Sequence, residues 1–486
     1  MNRDFFKPAA LILLAAVFTG VLAYLLPSWH NDFFSIRKMP WFEALQAPDP
    51  EPEIPVAEPE PVEHAQKALK PFIKKMSSLS VVPEQEAIFP RKGAFSKTEQ
   101  IRIAYFSDSI IEGDLITAPL RHALQSVYGG IGVGMMPITS IVAGFRQSIR
   151  HSFSRNWETI SFMDNKNYDV SLGITGYTFI PRPYYNATRT IEKAAVDTLF
   201  ASDSLVVADS TAIEKATETR QETDRYYVDY KPWVEYKAVD TIGGAPFFEN
   251  ISLFYSHAPD STYVTVSYDS HSPVTHRLNE SAQLQMLDLS VAEPVKSIRL
   301  EFNAHKAVRL YGISFAEKSG VYVDNFPIRG YSGLYFQRIH QDILKDFQRK
   351  LDYDLVILQY GGNITNPDNT DYSNYKVAMT NTIQHMQDAL GDTPILIISV
   401  QDRSVKVGTR YQTSPDIPLL VKAQGEVAQE TACAFWNLYE AMGGYNSMLE
   451  YVGQNPPLAG KDYTHFTRRG ADKIAEMLVD FLRSEK

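Results

Sequence analysis

The sequence predicts an α/β fold: a mostly parallel sheet flanked by helices, interrupted by an inserted antiparallel β-sandwich and preceded by one transmembrane helix. Three observations predict it. Residues 355–359 and 395–400 are short, mostly apolar runs among helical patterns, as strands buried on both faces require. Residues 264–268 and 298–302 instead alternate apolar with polar, the period of half-buried strands. Residues 9–26 are 18 positions without a charge, about the minimum that spans a bilayer as a helix.

The bulk numbers agree with a folded, multi-domain chain. It has 486 residues, 44% of them hydrophobic and 21% charged, which is globular composition on a chain too long for one ordinary core. The formal net charge of −10 argues against a nucleic-acid partner, because phosphate neutralisation needs a basic surface. The single cysteine, Cys433, excludes an intramolecular disulfide and a Cys-rich zinc site, and its apolar neighbours make it a buried thiol.

At the N-terminus, Arg3 and Lys7 precede the uncharged run and Pro27 ends it. The positive flank keeps the N-terminus inside and exports the rest, as in a single-pass bacterial inner-membrane protein whose larger part lies in the periplasm. A signal peptide cleaved near Ala23 would also export it. Residues 47–63 hold six prolines and five glutamates, a composition that favours an extended spacer. At ~3.1 Å per residue it reaches about 50 Å.

The remaining elements follow in order. Residues 101–106 read as a strand and 119–128 as a helix with proline in its first turn. The glycine-rich stretch 129–134 follows a helix, not a strand, so it reads as a tight turn, not a dinucleotide fingerprint. From 151 to 317 the texture is period-two, with Tyr226, Tyr227, Tyr230, Trp233 and Tyr236 clustered in the middle; these aromatics suit either a core or sugar stacking. Helices are expected at 335–351, 419–434 and 470–481. The domain plan is therefore an anchor at 1–28, a Pro/Glu-rich linker region at 29–94, an α/β domain split into 95–150 and 320–486, and a β insert at 151–319.

Four polar clusters stand beside these elements. Ser107-Asp108-Ser109 runs on from the first strand, where open α/β sheets place ligands. Arg329-Gly330-Tyr331-Ser332-Gly333 follows the insert, and glycine lets a backbone N–H approach a ligand. Gly361-Gly362-Asn363 follows the 355–359 strand, and an asparagine amide can donate to an oxyanion. Asp462-Tyr463-Thr464-His465 precedes the final helix; histidine can activate a serine while a carboxylate orients it. Asp402, after the 395–400 strand, is a cleft candidate or a loop anchor. No His-x-x-x-His or cysteine pair accompanies His465, so neither metal nor cofactor is expected.

In this order the four clusters resemble the blocks of the SGNH (GDSL-type) hydrolase family. The first departs from the usual pattern, with Ser107 where the family has glycine. Gly173 and Gly176 compete with Gly330 for the second block; Gly330 is preferred because Gly-Tyr-Ser-Gly directly precedes a helix. Met442-Gly443-Gly444, Ser447-Met448 and Pro456-Pro457-Leu458-Ala459 narrow the likeness to envelope members that include peptidoglycan O-acetylesterases with a carbohydrate-binding-like insert.

The resemblance implies Ser109 as nucleophile, His465 as base and Asp462 as its orienting carboxylate. Ser109, Gly330 and Asn363 would form the oxyanion hole, with Asp108 a further cleft residue. The implied substrate is an O-acetylated glycan, peptidoglycan or another envelope polysaccharide. Two other readings stay open: an O-acetyltransferase served by a membrane-bound O-acyltransferase, and a glycan-binding or assembly protein without catalysis.

Overall fold

The computed structural model describes residues 62–79, 100–163, 170–193, 218–269, 271–303 and 307–483. The expected membrane span and the proline-rich spacer up to residue 61 lie outside the described residues. Among the described residues no helix is long and apolar enough to cross a membrane.

Five parallel strands form the sheet that carries the polar clusters. Their spatial order is Gly320–Pro327, Gln100–Ser107, Leu355–Gln359, Ile395–Ile398, Ala434–Trp436. Numbered along the chain, that order is 2-1-3-4-5. The order reverses between the first and third strands, and a crevice opens beyond their carboxyl ends.

Both faces of the sheet are covered. Ile101, Ile103 and Tyr105 point to one side, with the helices Thr117–Tyr128 and Arg468–Arg483. Ala104 and Phe106 point to the other, with Gln341–Leu351, Ser373–Leu390 and Ile417–Glu430. The alternation is the two-residue period of a strand between two apolar layers.

The region expected as linker contains a packed helix, Val62–Ser78. Leu69, Phe72 and Met76 lie on one face at helical spacing and are buried with Leu396, Ile398 and Ala434. Lys75 pairs with Asp354. Pro71 in its interior and the acidic proline-rich run before it concealed this helix.

Two larger antiparallel sheets come from residues between the first two parallel strands. One joins Val274–Arg277, Tyr263–Tyr268, Ser297–Phe302, Trp233–Lys237 and Arg150–Phe153. The other joins Gln285–Asp288, Ile251–Ser256, Arg309–Phe315, Tyr177–Pro181 and Trp157–Ser161, with Gly134–Met136 added against Arg309–Phe315. Val264, Val266, Ile298 and Leu300 of the first share a core with Leu253, Leu310 and Ile313 of the second. The antiparallel region thus begins at 134, earlier than the expected 151, because Gly134–Met136, at the end of the glycine stretch, pair with the Ile313–Phe315 end of Arg309–Phe315.

The glycine stretch, expected as a tight turn, carries no hydrogen-bonded turn; it runs against neighbouring backbone with positive φ at Gly129, Gly130, Gly132 and Gly134. A Cβ at Gly132 would stand 2.2 Å from the Phe315 carbonyl oxygen. Cys433 is buried, and burial pushes its thiol up to about 11. Of the clustered aromatics, Tyr236 is a core residue donating to the Pro137 carbonyl, whereas Tyr226 and Tyr227 are exposed on a hairpin beside Tyr185 and Tyr184.

Candidate active site

The first strand ends at Ser107, paired with Pro327 on one side and Gln359 on the other. Ser107 does not have positive φ; it continues the strand, and its hydroxyl donates to the Gln359 carbonyl. The turn that follows therefore needs no glycine there. Asp108 caps it, with Oδ1 accepting from the Ile110 N–H at 3.0 Å. Ser109 begins the short 3₁₀ segment Ser109–Asp114, which Gly113 breaks at φ +68°.

His465 arrives from the other end of the chain. Asp462 Oδ1 accepts from the N–H groups of Thr464 and His465, each at 3.1 Å, and Tyr463 takes φ +55° between them. That turn folds two residues three apart onto each other. Asp462 Oδ2 then meets His465 Nδ1 at 2.8 Å, and His465 Nε2 lies 3.1 Å from Ser109 Oγ. An ionised carboxylate only accepts, so the proton sits on Nδ1 and leaves the Nε2 lone pair facing the serine hydroxyl. Burial raises the Asp462 carboxyl, but the His465 ring and the two N–H donors outweigh it and hold it below the usual range. The side chains of His465 and Asp462 are 47% and 54% exposed, so the site opens to solvent.

Asn363 follows the third strand and reaches back across the crevice. Its Nδ2 donates to Asp108 Oδ2 at 2.7 Å and to the Tyr331 carbonyl at 3.1 Å. Both amide hydrogens are committed, so donating one to an oxyanion requires the longer Tyr331 bond to be released. The shorter of the two bonds goes to the buried Asp108 carboxylate. Gly330, next to Tyr331, is exposed with φ +72° and open space beside its Cα. Gly173 and Gly176 instead face the rings of Tyr311 and Phe162.

Asp108 is 6% exposed. Burial pushes its carboxyl up to about 6, against the Ile110 N–H, His465 and Asn363, which favour the charged form. Asp108 therefore ties Asn363 in place and does not face open solvent.

Of the two readings of Asp402, cleft residue or loop anchor, its surroundings match the loop anchor. It is fully buried and accepts from the Met448 N–H at 2.7 Å, from Thr413 Oγ1 at 2.8 Å and from Ser447 Oγ at 3.4 Å. It holds the hairpin Ser404–Val407/Arg410–Thr413 against the 447–453 helix. That hairpin stacks Tyr411 on Tyr463 with centroids 4.2 Å apart, beside His465. Nothing local in the sequence pairs these two tyrosines. Among the described residues no group of three or more His, Cys, Asp or Glu side chains is placed to hold a metal ion.

No family model and no curated protein sequence matches the chain. Solved structures do. A peptidoglycan O-acetylesterase aligns at 20% identity over 85% of this chain and 95% of its own, with a TM-score of 0.58, which shows a shared fold. A family two carbohydrate esterase from Cellvibrio japonicus aligns at 9% identity over 69% of this chain and 98% of its own, with a TM-score of 0.22. An acetyl xylan esterase aligns at 17% identity over 33% and 79%, with a TM-score of 0.25. The last two scores are too low to support a fold comparison.

Proposed function

From the SGNH-type fold that this chain shares with a peptidoglycan O-acetylesterase, we propose that it is a serine esterase removing O-acetyl groups from peptidoglycan or another envelope polysaccharide. The observation that carries the reading is the unbroken line from Asp462 Oδ2 to His465 Nδ1 at 2.8 Å and from His465 Nε2 to Ser109 Oγ at 3.1 Å.

In the proposed reaction, Ser109 Oγ attacks the acetyl carbonyl carbon while His465 Nε2 takes the hydroxyl proton. Asp462 stabilises the imidazolium. The N–H groups of Ser109 and Gly330 face the developing oxyanion, joined by Asn363 once its Tyr331 bond is given up. Collapse breaks the bond to the sugar oxygen, which leaves with the proton from His465. Water, deprotonated by the same nitrogen, then attacks the acetyl-serine, and His465 returns that proton to Ser109 Oγ as the ester bond breaks and acetate leaves. The open His465 and Asp462 suit a polymeric substrate, which an enclosed pocket would exclude.

The proposal keeps the N-terminal membrane anchor and the periplasmic location, which rest on the charge pattern around residues 9–26. The test is acetate release from O-acetylated peptidoglycan by the full chain beside a Ser109→Ala control. Sustained serine-dependent release supports the esterase. Acetyl transfer to a glycan acceptor without net acetate would instead support the transferase reading, with a membrane-bound O-acyltransferase as donor partner. Neither outcome above the control would leave a glycan-binding role.

A further inference from the structure

At the far end of the 3₁₀ segment that Ser109 begins lies a pocket of about 620 Å³ between the parallel sheet's carboxyl edge and the first antiparallel strands. Such a volume suits a small ligand or a few sugar units. Glu112 and Gly113, just past Ser109, line it, as does Arg329 just before Gly330. The segment 139–146 forms its wall. Ile141, Val142 and Ala143 face the pocket, while Phe145 rests against Gly113 and under the Arg468 guanidinium at 4.9 Å. Arg468 Nη2 also donates to the Phe145 carbonyl at 3.0 Å. One short segment thus borders both the pocket and the loop that carries His465.

The pocket is positively charged within an acidic chain. Arg146 lines it and is only 6% exposed. Behind it, the buried Asp114 carboxylate is taken by Arg121 through two bonds of 2.9 Å and by the hydroxyls of Ser148 and Thr117. Arg146 stands 3.9 Å from that carboxylate. Its closer contacts are neutral: Met136 Sδ at 2.8 Å, and the Asn325 side-chain oxygen at 2.7 Å in the amide orientation that satisfies both atoms. Two buried guanidinium groups therefore share one carboxylate. Such an excess of buried charge is unfavourable unless an anion answers it.

At the rim, Arg155 is exposed and has no acidic partner among the described residues, whereas Arg329 is paired with Glu112. Trp157 and Tyr177 add aromatic surface, and Thr139, Thr159 and Thr175 add hydroxyls. Cations, ring faces and hydroxyls together match a sugar that bears a carboxylate.

We propose that this pocket binds a carboxylate-bearing sugar residue of the polymer, held by Arg146 and Arg155, while a neighbouring acetyl ester lies at Ser109. The proposal rests on the esterase reading for its polymer, and it names the feature by which that polymer is chosen. The carboxylate belongs either to a lactyl ether or to a uronate ring.

The test uses the full chain as Ser109→Ala, titrated calorimetrically with the disaccharide of N-acetylglucosamine and N-acetylmuramic acid and with its carboxamide. A parallel pair, cellobiouronic acid and cellobiose, separates a ring carboxylate from a lactyl one. The expected result is at least tenfold tighter binding of the acid in one pair, falling below threefold when Arg155→Gln is added. Arg155 is exposed, so that variant folds. Equal binding of acid and neutral partner in both pairs overturns the proposal, and so does a preference that Arg155→Gln leaves intact. Turnover of 4-nitrophenyl acetate by the unmodified chain reports the esterase reading separately. Its failure alongside acid-selective binding would sink the esterase and leave the pocket standing.

Discussion

Asn363 clasps Asp108 across the crevice, its Nδ2 lying 2.7 Å from the buried Oδ2. The two residues follow the third and first parallel strands, the pair between which the strand order reverses. The bond fastens together the two loops that hold Ser109, the proposed nucleophile, and Asn363, a proposed oxyanion donor.

That contact has a pH signature. Burial raises the folded Asp108 carboxyl from 3.8 to about 6. The folded state therefore binds more protons than the unfolded chain between these values. Asp108 favours folding below pH ~3.8, and this contribution is lost as pH rises through about 6. Asp108→Asn removes the titration while keeping an acceptor for Asn363. Unfolding measured from pH 4 to 8 should show the wild type losing about 3 kcal/mol relative to the variant. A difference that stays flat across that range would mean the carboxylate is not desolvated.

A fluorophosphonate should add to Ser109 stoichiometrically, as read by peptide mass spectrometry. His465→Ala should slow labelling by at least ~10³, because the 3.1 Å contact that takes the proton is gone. Labelling at another serine would redirect the assignment.

Asp462→Asn should lower kcat on 4-nitrophenyl acetate by about 10²–10³, with KM little changed. The loss should fall short of that for a fully buried carboxylate, since a side chain 54% exposed leaves room for water to solvate the imidazolium. A kcat unchanged within twofold would remove Asp462 from the mechanism.

Gly330→Ala and Gly361→Ala should separate strain from clash. At Gly330, φ is +72° with open space at the Cβ position, so alanine should cost about 1 kcal/mol of stability while displacing the N–H and lowering kcat. At Gly361, φ is +136° and a Cβ would lie 2.8 Å from Val400 Cβ, so thermal denaturation should show the larger loss there.

Phe72→Ala should destabilise the protein by about 3–5 kcal/mol, since Phe72 is 1% exposed against the sheet. Truncation before residue 80 should lower the melting temperature sharply relative to truncation before residue 62. Equal melting of both would show that the Val62–Ser78 helix adds no stability.

Much of this was legible in the chain because the signals are local. The 355–359 run is a strand with those bounds, and Asp462 and His465 are three residues apart, within reach of one turn. Other elements were hidden by polar residues whose partners are distant. The strand Gly320–Pro327 was not expected because Asp324 and Asn325 interrupt its apolar run; Asp324 is buried because Arg102, on the neighbouring strand, neutralises it at 2.7 Å. Ala434–Trp436 was expected to begin inside a helix, but Ala434 and Phe435 pair with Leu396 and Ile397. Asp402 stood at a strand end like the other site residues, and only the donors packed around it made it an anchor.

By itself the sequence determined the residue types, their order and the α/β texture, since periodicity and turn chemistry act over a few residues. Tertiary structure decided which clusters meet. Ser109 and His465 are 356 positions apart, and Asn363 and Asp108 are 255 apart. Their contacts depend on strand order, which follows from burying both faces of one sheet. The excess positive charge at Arg146 likewise exists only once Asp114 and Arg121 are buried behind it.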